Sequence, residues 1–244
     1  TTVTFTPLAP FTVTVTANPD HILVDGSTSI IEALVVDQYG NWVTDGTSVT
    51  FATSAGSIAP SPVATVNGKA STILTSGTVA GTAIVTATAG AASGTTSVVF
   101  EAGVPRVTIA ASPSFLSVDD PSFITVTARD IHGNDVPDGT VVTFTTSLGN
   151  FGGTITKTTR TTVGGKAYAQ LHSTVPGVAI VTGTVGTDSA YVAVTFTAGE
   201  PRSITLDVDP SVIAGCGGTA TAQAVVKDQY GNLCLLYTSP SPRD

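Results

Sequence analysis

Methionine is absent from these 244 residues, tryptophan occurs once and cysteine only twice. With no methionine, no basic leader and no apolar stretch after it, the sequence shows neither a start site nor a secretory signal. Charged side chains make up 11 %, and the net charge is −8. An acidic chain with so few cations lacks the basic face that a phosphate backbone needs, which excludes nucleic acid as a partner. Mean hydropathy is positive at +0.35, yet no run approaches the ~18 apolar residues of a membrane helix. Buried antiparallel strands account for that combination, and no membrane insertion is expected. Long helix-forming runs of Leu, Glu and Lys are also missing. In their place stand Thr, Val, Ala and Gly, and the β-branched residues fit a pleated surface.

The sequence repeats itself. Asp37-Gln-Tyr-Gly-Asn41 returns as Asp130-Ile-His-Gly-Asn134 and as Asp228-Gln-Tyr-Gly-Asn232, spacings of 93 and 98 residues. Ala102-Gly-Val-Pro-Arg106 returns as Ala198-Gly-Glu-Pro-Arg202, and Gly68-Lys-Ala70 as Gly165-Lys-Ala167. A period near a hundred residues is a whole small domain, not a solenoid turn. The expected organisation is the last strand of a preceding module in 1–10, modules over 11–103 and 104–200, and a truncated module over 201–233. Residues 234–244 break the repeat after Leu233, where Asp-Gly-Thr should follow as at Asp45-Gly-Thr47 and Asp138-Gly-Thr140. They read as translated sequencing adapter of the kind found at metagenomic contig ends. The chain thus reads as an internal fragment. Discounting Cys234 leaves Cys216 alone, so the modules are expected to hold without disulfides, and no Cys216–Cys234 bridge is expected.

Overlaying the repeats exposes period-two strands. Ile31, Ala33 and Val35 fall over Ile124, Val126 and Ala128, while the positions between them accept charge. Val49-Thr-Phe51 matches Val142-Thr-Phe144, and Ala83-Ile-Val-Thr86 matches Ala179-Ile-Val-Thr182. Turn signals such as Asn18-Pro19, Asp45-Gly46 and Asn67-Gly68 divide the strands. About seven short strands per module describe a two-sheet antiparallel sandwich, an all-β fold of tandem immunoglobulin-like units. The expected cores are Ile31, Val35, Phe51, Ile84 and Phe100, then Ile124, Phe144, Ile180 and Phe196.

By these motifs the chain resembles the bacterial immunoglobulin-like domains of the invasin/intimin type. The resemblance runs through Val-x-Asp-x-Tyr-Gly-Asn, Asp-Gly-Thr-x-Val-Thr-Phe, Gly-Lys-Ala, Leu-x-Ser and Gly-x-Ala-Ile-Val-Thr, and covers both full repeats; Ala128 and His132 depart from it. It implies non-catalytic stalk or spacer repeats of an extracellular, cell-surface or secreted adhesin. Neighbouring modules in cis would be the direct partners, and a host-surface protein or glycan would be met through terminal domains. The alternatives are a ligand-binding module or the accessory modules of a secreted enzyme. No cofactor is implied.

The motif open to a chemical reading is Asp-x-x-Gly-Asn: Asp37, Gly40, Asn41; Asp130, Gly133, Asn134; Asp228, Gly231, Asn232. As a turn, its glycine takes positive φ and its aspartate caps backbone N–H groups. As a cation site, Asp37 with Asp45, or Asp130 with Asp135 and Asp138, would supply oxygen ligands. Without the spacing of a calcium loop the turn reading is preferred, and no metal site is expected. His21, His132 and His172 occupy non-equivalent repeat positions, and no nucleophile elbow, zinc-protease or phosphate-loop motif is present. No catalytic residues follow. Trp42 and Phe151 are the loop aromatics that a binding role could use; Trp42 reads better as an edge residue packing on its own strand. The five-residue linkers, each closed by proline, leave little coil and suggest a stiff rod.

Overall fold

The alternation of β-branched and small residues carries through into the computed structural model, which describes residues 6–213, 215 and 217–234. No helix occurs among the described residues. The chain divides into two compact units, Thr1–Pro105 with Arg129–Pro137, and Arg106–Ala128 with Asp138–Asp244.

The first unit contains β1 (Thr12–Asn18), β2 (His21–Leu23), β3 (Thr28–Val36), β4 (Ser48–Thr53), β5 (Ser57–Ala59), β6 (Val63–Ala64), β7 (Lys69–Thr75), β8 (Gly81–Ala89) and β9 (Ala92–Glu101). One sheet runs β1-β3-β7-β5 and the other β2-β9-β8-β4-β6. Strand β2 lies parallel to β9, and the other pairings are antiparallel. The second unit follows the same plan with β10 (Arg106–Ser112), β11 (Phe115–Ser117), β12 (Ser122–Arg129), β13 (Val141–Thr146), β14 (Lys157–Thr161), β15 (Lys166–Leu171), β16 (Gly177–Val185) and β17 (Asp188–Thr197). Its sheets run β10-β12-β15 and β11-β17-β16-β13-β14. A separate two-stranded sheet pairs β18 (Ser203–Asp209) with β19 (Thr221–Lys227). The fold is all-β, of the immunoglobulin-like sandwich kind.

Each core lies between its two sheets. Ile31, Val35, Val49, Phe51, Leu74, Val85 and Phe100 are buried in the first. Ile124, Phe144, Leu171, Val181, Val194 and Phe196 are buried in the second. Two expected core residues are not there: Ile84 is 45 % exposed and Ile180 is 40 % exposed. Their neighbours Ala83, Val85, Ala179 and Val181 are fully buried instead. In Ala-Ile-Val-Thr three apolar residues run in succession, and the pleat sends the middle one outward. The larger side chain is the outer one, because small residues line the inner face of β8 and β16. Close approach of the sheets is marked by Gly94, where an added Cβ would run into the Val13 carbonyl. Phe151 folds back onto the core and meets Phe144 edge-on, with ring centroids 6.2 Å apart.

The β18–β19 sheet is different. Ile204, Leu206 and Val208 are all exposed, and Val226 is its buried apolar residue. Cys234 is a free thiol, whereas Cys216 and residues 235–244 lie outside the described residues.

Candidate functional site: the Asp-x-x-Gly-Asn turns

A strand that leaves a sheet must satisfy its freed N–H groups, and a carboxylate two residues upstream of a glycine-containing turn is well placed to do so. All three motifs adopt that arrangement. Gly40, Gly133 and Gly231 take φ of 82°, 87° and 85°. Each aspartate N–H donates to the carbonyl of its own asparagine at 2.9–3.0 Å, closing the loop. Asp130 Oδ1 accepts the N–H groups of His132 and Asn134 at 2.8 and 2.9 Å. Its Oδ2 accepts the Gly103 N–H at 3.0 Å and the Asn134 amide at 2.8 Å. Asp228 does the same with Tyr230, Asn232 and Gly199. Asp37 holds Tyr39, Asn41 and Leu8. Leu8, Gly103 and Gly199 are equivalent linker positions, so one carboxylate ties the turn to the chain entering its module.

These three aspartates are nearly buried, at 2, 4 and 3 % exposure for Asp37, Asp130 and Asp228. Burial alone would raise their pKa. The hydrogen bonds from the linker, the turn backbone and the asparagine amide outweigh it, holding each at about 2. A carboxylate so saturated with donors has little left to offer a cation. Among the described residues no group of three or more His, Cys, Asp or Glu could hold a metal. The other carboxylates once weighed as ligands face separate tasks. Asp45 accepts the Asn67 N–H at 2.6 Å, Asp138 the Gly164 N–H at 2.7 Å, and Asp135 pairs with Arg129 at 2.7 Å.

The asparagines reach further than the turn. Asn134 donates from Nδ2 to the Thr78 carbonyl and accepts from the Ala80 N–H, both at 2.9 Å. The segment Arg129–Pro137 is accordingly part of the first compact unit. Asn232 donates to the Thr174 carbonyl at 2.9 Å. Thr78 and Thr174 head the recurring Thr-Val-x-Gly loops at 78–81 and 174–177. Pro176 stands where Ala80 does and has no N–H, which removes the second bond at that loop. Sequence reasoning treated the turn as local and missed these partners; the recurrence of Thr-Val-x-Gly at the same interval was the available signal. It also missed the hydrogen bond between His21 and Glu101 at 2.7 Å, which the parallel β2–β9 register brings together.

Nothing in these places resembles a reaction centre. His132 sits in a turn, His172 bridges Asn150, and His21 pairs with Glu101 on the surface. A shallow hollow bounded by Gly56, Ser76, Val79 and Phe100 has no titratable side chain on its walls. Trp42 is 55 % exposed and lies against Gly68, opposite Val36.

Residues 9–103 match the family model described as invasin, domain 3. InvD from Yersinia pseudotuberculosis superposes with a TM-score of 0.65 at 23 % identity, covering 91 % of this chain and 71 % of that one. The Escherichia coli adhesin FdeC gives a TM-score of 0.66 at 21 % identity, with 93 % and 77 % covered. Invasin, described as a bacterial integrin-binding protein, gives 0.53 at 27 % identity over 92 % of this chain; the chain spans 48 % of it. No curated protein sequence matches. The family match lies on the first repeat, residues 9–103, and the second repeat follows the same sandwich plan, so the chain is similar to bacterial immunoglobulin-like domains of the invasin type.

Proposed function

We propose that these domains are non-catalytic stalk or spacer repeats of a bacterial cell-surface adhesin. The observation that carries this reading is the repeated investment of the turn residues in the linker. Asp37, Asp130 and Asp228 each bind the N–H of the linker residue entering their module. Such residues hold a chain in series, their carboxylates committed to backbone N–H groups. Similarity to FdeC, described as an adhesin, and to invasin, described as integrin-binding, supports an adhesive parent protein. On this reading a host protein or glycan meets other domains of that parent, and the location is the bacterial surface.

The test is a swap in the surface-displayed parent protein. Residues 11–200 are replaced by an equal number of unrelated β-sandwich modules. Adhesion preserved at equal display supports a spacer. Adhesion lost at equal display would show that these modules themselves bind.

A further inference from the structure

Among the described residues, the Asn41 amide bonds only Asp37, at 3.2 and 3.3 Å, against 2.8 Å for Asn134 and Asn232. Its two counterparts each grip a Thr-Val-x-Gly loop as well. The position beside it differs in the same sense: Tyr39 is 75 % exposed and its counterpart Tyr230 only 46 %. The linker contact is nevertheless already formed, since Leu8 N–H reaches Asp37 Oδ2 as Gly103 reaches Asp130.

We propose that the asparagine ending each Asp-x-x-Gly-Asn turn is the docking group for the Thr-Val-x-Gly loop of a like sandwich, so that the Asn41 turn accepts that loop from a further module of this type. The occupant follows from what the formed contacts use. Asn134 and Asn232 touch backbone atoms alone: the Thr78 carbonyl, the Ala80 N–H and the Thr174 carbonyl. Recognition therefore centres on the threonine carbonyl ahead of a glycine, the bond that both loops share, and the Ala80 N–H adds a second bond that Pro176 cannot make. Gly81 and Gly177, with φ of 152° and 147°, close those loops in the same conformation. A glycan offers mainly hydroxyls in place of a backbone carbonyl held by a loop, and an unrelated protein would have to reproduce that loop. A module of this kind has it already. The inference rests on the spacer reading only for a supply of like modules in series.

The test extends the full chain by duplicating residues 11–105 in tandem, which sets one copy's Thr78–Gly81 loop ahead of the next copy's Asn41 turn. Hydrogen exchange, with the copies labelled segmentally, follows the Ala80 amides, and the Val85 amide reports folding. In the unextended chain Asn134→Ala speeds Ala80 exchange roughly fivefold, the equivalent of one ordinary hydrogen bond, and leaves Val85 unchanged. In the extended chain the first copy's Ala80 is protected like the second's, and Asn41→Ala in the second copy removes that protection by a similar factor. First-copy Ala80 exchanging at the unprotected rate, or indifferent to Asn41→Ala while Val85 stays protected, overturns the proposal. The swap experiment fails independently: modules that bind a receptor themselves would lose the spacer role with Ala80 protection intact.

Discussion

Asp130 receives hydrogen bonds from Gly103, His132, Asn134 and the Asn134 amide while 4 % exposed. Its pKa, like those of Asp37 and Asp228, is held at about 2, below the ordinary 3.8. A carboxyl whose pKa is lower folded than unfolded stabilises the fold above its unfolded pKa, and that contribution disappears as pH falls through the folded value. Stability is therefore expected to be flat, as regards these three groups, above about pH 5 and to drop between about pH 4 and 2. Asp130→Asn removes the titrating charge and should flatten part of that acid limb, measured by urea unfolding at stepped pH. An unchanged limb would mean that Asp130 does not contribute to it.

At the scale of elements, the inner and outer faces of β8 are separated by one residue. Phe100→Ala on the paired strand β9 removes a buried ring and is expected to cost about 3–5 kcal/mol, whereas Ile84→Thr on the outer face of β8 should stay within about 0.5 kcal/mol. Denaturant midpoints of the two variants check the register directly; a large loss from Ile84→Thr would place that side chain inside. The strand alternation of β3 and β12 was legible because Ile31-x-Ala33-x-Val35 and its copies separate apolar from polar positions cleanly. Ala-Ile-Val-Thr was not, since period two cannot choose between adjacent apolar residues and size points the wrong way where sheets approach closely. The turn residues were found from spacing alone. Their linker and loop partners were not, because backbone N–H and carbonyl groups carry no sequence label and only topology brings Thr78 to Asn134.

For the whole molecule, the surface chemistry argues for indifference to salt. Two ion pairs of fixed charge are formed among the described residues, Lys69–Glu32 and Arg129–Asp135, beside a His21–Glu101 hydrogen bond, and all are solvent-exposed. Exposed pairs contribute little and are screened within about 10 Å at ordinary ionic strength. The polar outer faces are instead made of hydroxyls, as in the row Thr159, Thr143, Thr184 and Ser189, which the pairing of β14, β13, β16 and β17 sets side by side. Hydroxyls are neutral, so their hydration does not follow the Debye length. Unfolding free energy at neutral pH should therefore change by less than about 1 kcal/mol between roughly 0.05 and 1 M sodium chloride, with a small gain from screening the net charge of −8. Chemical denaturation with urea, which adds no ions, measures it. A loss of several kcal/mol at high salt would show that charge pairing holds the sandwiches together; constancy fits a spacer whose working surface meets changing ionic strength without changing its fold.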